Sequence, residues 1–243
     1  MTHDKKMPGD YEFHSLHHGP LIQRQWNKNR INFLEQIKFI EKNHKVLDAG
    51  CGSGNVVLKF AKKAKEIEGW DINNNSINFL SRELKKRGIK NAKTKVIDLT
   101  RTKNDKSRFD RIVLAEVIEH FTPRQYEKML ENLKKTLNKK GKIFITTPND
   151  DSYWLLLEKA LNLFQKYVQK IPTLEDRHLV HFNEKKLSRI VIEAGFEVER
   201  VGTLNFLSPF LFFLPEGLRD YLSTIESKHV KIGPLLYVVA IKR

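Results

Sequence analysis

A chain of 243 residues, 40% hydrophobic and 30% charged, is long enough for one large domain with its own core and too apolar for intrinsic disorder. Forty-four Lys and Arg against 29 Asp and Glu leave a formal charge of +15, which favours anionic partners such as RNA, acidic lipid or a phosphorylated small molecule, unless the lysines are simply spread over solvated helix faces. The single cysteine, Cys51, excludes an internal disulfide, and no apolar run reaches the roughly 18 residues of a spanning helix or resembles a secretion signal, so a reducing, cytoplasmic setting is expected.

Up to Pro20 the sequence is polar, histidine-rich and aperiodic, and reads as an arm that folds over the body, with His14, His17 and His18 at its surface. Phe33, Ile37 and Ile40 then recur at helical spacing and predict a helix over 25–41. "KVLDAG" is a short strand, "NVVLKFAKKAKE" a helix with Val56, Val57, Phe60 and Ala64 on one face, and "EIEGWD" a strand. "SINFLSRELKKRG" aligns Ile77, Leu80 and Leu84 and ends at Gly88. "KTKVID" and "FDRIVLA" are strands, followed by a helix that starts at Thr122 and Pro123 and stops at Gly141, and by the strand "KIFITTP". Alternation through 45–148 predicts a doubly wound α/β sheet, Rossmann-like, with ligands beyond the carboxyl ends of its strands.

After Pro148 the pattern loosens. Trp154, Leu157, Leu161, Phe164 and Val168 suggest a helix outside the alternation, and "IPTLEDRHLVHF" a loop, together an insertion or lid. "NEKKLSRIVIEAGFEVERV" returns to helix, glycine and strand, and "GPLLYVVAIKR" is a last buried strand. The chain thus divides into an arm and helix (1–44), a ligand-binding core (45–148), an insertion (149–183) and a C-terminal part of the same domain (184–243).

Glycines at 50, 52 and 54 fall where the first strand hands over to its helix, leaving the main chain open to a ligand. A dinucleotide fingerprint needs a third glycine where Asn55 stands, and the Gly-Lys-Ser/Thr of a Walker loop is absent. Asp71 ends the second strand, 17 residues after Gly54, near the spacing at which a carboxylate meets ribose hydroxyls, and Asp98 ends the third. Two carboxylates beside such a bend repel a pyrophosphate and suit a cationic, phosphate-free nucleoside, S-adenosylmethionine.

"VLDAGCGSG", "GWD", "VID", "FDRIVLAEVIEH" and "GKIFITTPN", in that order over about 45–150, resemble the successive motifs of class I S-adenosylmethionine-dependent methyltransferases. The resemblance implies a seven-stranded sheet with its last strand antiparallel, a place that "LLYVVAIK" fits. Arg30, Ile31 and Asn32 ahead of the bend, with Glu116, Glu119 and His120 after the fourth strand, are similar to the ubiquinone-biosynthesis O-methyltransferase group. That likeness implies Arg30 on the cofactor carboxylate, Gly50 on its amino-acid portion, Asp71 on the ribose, Asp98 at the adenine edge and the Ala115 main chain on the cofactor. Asp48, Gly52, Gly54, Ile72 and Leu99 complete the expected set.

Methyl transfer is an in-line displacement that needs alignment above all. Glu119 and His120 are the candidate catalytic groups, since an oxygen nucleophile gains from losing its proton. Glu116, Glu119 and His120 at i, i+3 and i+4 would share one side of a helical turn and either hold a divalent cation, with His178 or His181 as a further ligand, or merely hydrogen-bond across the cleft floor. Cys51 reads as a packing residue. The Asn/Asp-Pro-Pro-aromatic signature of base methylation is missing after "RIVLA". The expected acceptor is a hydroxyl of a small aromatic, lipid-like or glycan-linked molecule. The alternatives are an RNA ribose 2′-hydroxyl, a nicotinamide-dependent oxidoreductase and a non-catalytic anion- or nucleotide-binding module. The apolar, twice proline-broken "FLSPFLFFLPEGL" is read as a substrate mouth, a peripheral membrane contact, or packing beneath the insertion helix.

Overall fold

Apolar side chains on successive strand residues point to opposite faces, and both faces of this sheet are covered. The computed structural model describes residues 8–102, 108–153, 179–211 and 213–243. Its strands are β1 (Lys45–Ala49), β2 (Glu66–Asp71), β3 (Ala92–Val96), β4 (Phe109–Ala115), β5 (Leu137–Pro148), β6 (Phe196–Leu204) and β7 (Leu235–Lys242). They form one seven-stranded sheet in the order β3-β2-β1-β4-β5-β7-β6, with β7 antiparallel to both its neighbours and the other pairings parallel. The Rossmann-like fold and the reversed last strand expected from the sequence are both present.

The helices are α1 (Tyr11–His17), α2 (Leu21–Gln36), α3 (Asn55–Phe60), α4 (Asn74–Lys86), α5 (Pro123–Thr136), α6 (Glu184–Glu193) and α7 (Glu216–His229). Leu47, Ile112, Leu114, Ile143 and Ile145 meet α5 and α6 through Met129, Leu133, Leu187 and Val191. Val46, Val113, Phe144 and Tyr237, from the opposite face, meet α2, α3 and α4 through Phe33, Leu34, Val57 and Leu80.

Several boundaries differ from expectation. The arm is not aperiodic, since Tyr11–His17 is helical and packs on α2 and α3. The next helix begins earlier and ends at Gln36, because Lys38 takes a left-handed φ of 50°; Phe39 and Ile40 beyond it are still buried. Gly141 is not the stop of α5. The helix gives way to strand at Leu137, and Lys140, φ 59°, lies in an irregularity that carries β5 from pairing Phe109 to pairing Arg111. The proposed helix through Trp154–Val168, and His178, lie outside the described residues.

Helix α7 escaped sequence reading because its burial is inverted. Ser223, Glu226 and Ser227 face inward, while Leu218, Tyr221 and Ile225 are exposed. Glu226 accepts hydrogen bonds from the Leu207 and Ser208 amides at 2.9 and 2.8 Å and from the Ser208 hydroxyl at 2.8 Å. That carboxylate anchors the start of the apolar, proline-broken segment, in which Leu207 and Phe213 remain exposed.

Phe144 sits at the middle of an aromatic cluster, with ring centroids 6.1 Å from Phe33, 5.8 Å from Phe39 and 6.4 Å from Tyr237. Being fully buried, it leaves a cavity when truncated. Phe144→Ala is expected to lower stability by about 3–5 kcal/mol, read as a reduced midpoint in urea unfolding.

Candidate active site

Strand order reverses between β1 and β4, which places the ligand crevice at their carboxyl ends. Gly50, Gly52 and Gly54 follow β1 with φ of 74°, 48° and 82°, a region that side chains avoid. Two of these glycines also yield to close neighbours. A β-carbon at Gly50 would lie 2.4 Å from Val117, in the loop after β4, and one at Gly52 would lie 1.6 Å from the Glu12 carboxylate.

Glu12 brings α1 onto the bend. Its carboxylate accepts from the Ser53 amide at 3.0 Å, its own amide donates to Ser53 Oγ at 3.1 Å, and its carbonyl accepts from Asn55 Nδ2 at 2.9 Å. Glu12 is an exposed residue of α1 whose carboxylate lies against Gly52 and Ser53. Burial and the neighbouring charge of Asp71 raise it to about 7.

Beneath this cover lies a cavity of about 650 Å³. Asp48, Gly50, Gly52, Asp71, Ile72, Leu99, Ala115, Arg30, Glu116, Glu119 and His120, all expected from sequence, line it. Asp71 accepts from the Gly52 amide at 2.8 Å and the Asn73 amide at 2.7 Å. These two main-chain donors fix the carboxylate at the end of β2, beside the bend. Arg30 pairs with Glu116, while its buried Nε has no hydrogen-bond partner.

Two expected cofactor residues do not reach the cavity. Gly54 caps α3 and abuts α4, where a β-carbon would lie 2.3 Å from Leu80. Asp98 turns its carboxylate onto Thr100, accepting from its amide at 2.9 Å and its hydroxyl at 2.6 Å.

The expected cation site is also not assembled. Glu116 precedes the helical turn rather than lying on it, with φ 56°, and pairs with Arg30. Glu119 lies on the 3₁₀ turn Ile118–His120 and accepts from Thr147 Oγ1 at 3.1 Å. His181 meets Asp150 at 3.2 Å. Among the described residues no group of three His, Cys, Asp or Glu side chains is placed to hold a metal ion.

Burial dominates the electrostatics. Asp48 and Glu119 are 3% and 2% exposed. Burial and then the charge of Glu12 push Asp48 up to about 8, and burial and then Glu116 push Glu119 up to about 8. Burial likewise holds the Cys51 thiol well above its ordinary value, as suits a packing residue. The sequence reading missed Glu12, Trp26, Asn27, Val117 and Phe121, which also line the cavity.

The sequence pattern of the methyltransferase domain family matches residues 20–201, and the chain belongs to that family. It is 31% identical over 188 residues to an uncharacterised protein of Rickettsia prowazekii, covering 76% of this chain and 70% of that protein. It is 32% identical over 108 residues to (S)-coclaurine N-methyltransferase of Thalictrum flavum subsp. glaucum, covering 44% of this chain and only 29% of that protein. Among solved structures, the N-methyltransferase NodS from Bradyrhizobium japonicum in complex with S-adenosyl-L-homocysteine shares the fold at a TM-score of 0.61 and 14% identity, over 99% of this chain and 95% of its own. Magnesium protoporphyrin IX methyltransferase from Synechocystis, also with S-adenosylhomocysteine bound, does so at 0.63 and 14%, over 92% and 86%.

Asp48 and Glu119 hold their protons more tightly in the folded chain than unfolded, so the folded state binds more protons from about pH 4.5 to about 8. Their contribution to stability is therefore fullest below that window and is lost as pH rises through it. Urea unfolding across pH 5–8 should show Glu119→Gln losing less stability with rising pH than the parent; an equal slope would place the Glu119 proton elsewhere.

Proposed function

We propose that the chain transfers the methyl group of S-adenosylmethionine to a nucleophile on a small, partly apolar organic acceptor. The observation that carries this reading is the composition of the 650 Å³ cavity. Five acidic residues, Glu12, Asp48, Asp71, Glu116 and Glu119, face a single guanidinium, Arg30, around the glycine bend. Such a lining offers a phosphate no cation beyond Arg30 and suits a cofactor with a sulfonium, an ammonium and ribose hydroxyls.

The residues fit that cofactor. Asp71 sets a carboxylate in the lining as an acceptor for ribose hydroxyls, the bend admits main-chain contact, and the unpartnered Arg30 Nε offers a buried donor for a carboxylate. When bound, the cofactor supplies an electrophilic methyl group. Tyr11, Trp26, Val117 and Phe121 provide an apolar wall for the acceptor. His120 is the group that takes the acceptor's proton, beside Glu119, whose carboxyl burial keeps protonated.

A hydroxyl acceptor, in line with the likeness to the ubiquinone-biosynthesis O-methyltransferases, is the first reading, supported by that base. An amine acceptor is the second. It is supported by the excess of carboxylates, which attracts ammonium, and by the N-methyltransferases among the relatives. An RNA acceptor finds little support here, since Arg30 is the only Lys or Arg among the described lining residues. No helix among the described residues is long and apolar enough to cross a membrane.

Asp71→Ala should weaken S-adenosylmethionine binding by more than about tenfold in calorimetric titration, through loss of charge-assisted hydrogen bonds; unchanged affinity would remove Asp71 from the cofactor site. His120→Ala should lower turnover at least about a hundredfold while sparing cofactor affinity. Incubation with methyl-labelled cofactor and a cell extract, then mass spectrometry of the labelled product, would identify the acceptor and decide between oxygen and nitrogen. Failure to bind S-adenosylmethionine at all would reject the proposal.

A further inference from the structure

Helices α1 and α2 wall off the acidic cavity, and behind them lies a second cavity of about 760 Å³. The two share only Asn55 among their described lining residues. Their chemistry is opposite. Arg24, Lys28, Lys59, Lys62, Arg87 and Arg219 line the second cavity, with Glu216 as its one carboxylate. These cations come from α2, α3, the turn after it, the end of α4 and α7, far apart in sequence and gathered only by the fold.

Half of them are neutralised nearby. Lys28 pairs with Glu216 and with Asp220 at 3.1 Å, Lys59 with Glu35 at 3.4 Å, and Arg87 with Glu83 at 2.9 Å. Arg24, Lys62 and Arg219 make no side-chain hydrogen bond or ion pair among the described residues, and Arg219 Nε is buried without any partner. A buried guanidinium donor left unsatisfied is costly, and an incoming anion relieves that cost. The local field is positive by another sign as well: burial, then Arg87, His18 and Arg24, holds His17 below its ordinary value. Phe13, Leu16, Leu21, Ile31, Leu58 and Ile89 give the cavity an apolar wall, alongside the polar His17, Gln25, Asn32 and Asn55. The volume falls within the range of small-molecule sites.

We infer that this second cavity binds an amphiphilic anion, with its phosphate or carboxylate head on Arg219, Lys62 and Arg24 and its hydrocarbon body along Leu16, Leu58 and Ile89. Arg219 gives planar, paired donors to an oxyanion, whereas Lys62 adds a point charge. A free phosphate would leave the apolar wall uncovered, and a neutral lipid would leave the guanidinium unsatisfied. Head and tail are both needed.

Calorimetric titration of the full chain with dodecyl phosphate, kept below its micelle concentration, tests this. Dodecyl phosphate should bind at least tenfold more tightly than inorganic phosphate, dodecanol or dodecyltrimethylammonium. The double variant Arg219→Gln/Lys62→Gln should reduce that affinity tenfold or more, and Arg219→Lys/Lys62→Arg should retain most of it. Should the double Gln variant fail to fold, Lys62→Gln alone, at an exposed position, should still weaken binding about threefold. Equal affinity for the cationic amphiphile, no loss in the Gln variants, or displacement by excess S-adenosylhomocysteine would overturn the inference. Binding only to vesicles containing phosphatidic acid, with dodecyl phosphate inert, would make this a surface contact with a bilayer and overturn it as well.

Discussion

The loops after β1 and β4 meet so closely that no β-carbon fits between them. Val117 presses on Gly50 from one side and Glu12 on Gly52 from the other, so the bend is clamped between the strand-end loop and the N-terminal helix. Both contacts need backbone that only glycine adopts without strain. From that clamp follow the exposed amides of the bend, the course of β4 into its left-handed Glu116, and the seating of α1 over the crevice. The sheet places the clamp, because the order β3-β2-β1-β4-β5 opens a gap where neighbouring crossovers diverge.

Gathering five acidic side chains around one arginine, with Asp48 and Glu119 buried, is unfavourable for the folded chain alone. The raised values at Asp48 and Glu119 are the signature of that strain: the site accommodates the charges by keeping protons on them. A cationic cofactor offsets the same repulsion by supplying the missing positive charge. The electrostatics that are unfavourable for the chain alone are thus those that would select a cationic ligand, as is common where pKa values are strongly perturbed.

Much of this was legible in the sequence because local chemistry dictated it. The glycine spacing and the acidic residue closing β2 follow from local chemistry, and the structure puts them at the turn after β1 and at the end of β2. What was not legible depended on tertiary partners. Asp98 looked like a second strand-end ligand, yet a threonine two residues on captured its carboxylate. Glu116, Glu119 and His120 looked coplanar on a helical turn, but the left-handed φ at Glu116 breaks the turn before it starts. Gly54 shared the pattern of its neighbours while serving Leu80. Helix α7 was hidden because its inward face is polar, held by Glu226 rather than by apolar packing. Glu12 lay in a stretch with no repeating pattern at all.

Charge shows the same division between composition and fold. An excess of +15 suggested anionic partners for the protein as a whole, yet the crevice that matches the methyltransferase family is acidic. The two observations are compatible because the fold sorts charge by face. Helix α2 carries Arg30 toward the acidic crevice and Arg24 and Lys28 toward the basic one, a separation set by helical periodicity: residues 24, 28 and 31 share one side and 23, 27 and 30 another. Net charge is therefore uninformative about the acidic crevice and informative about the opposite wall. Helices α1 and α2 let a single small domain present an acidic crevice and a basic one on opposite sides of the same helix pair.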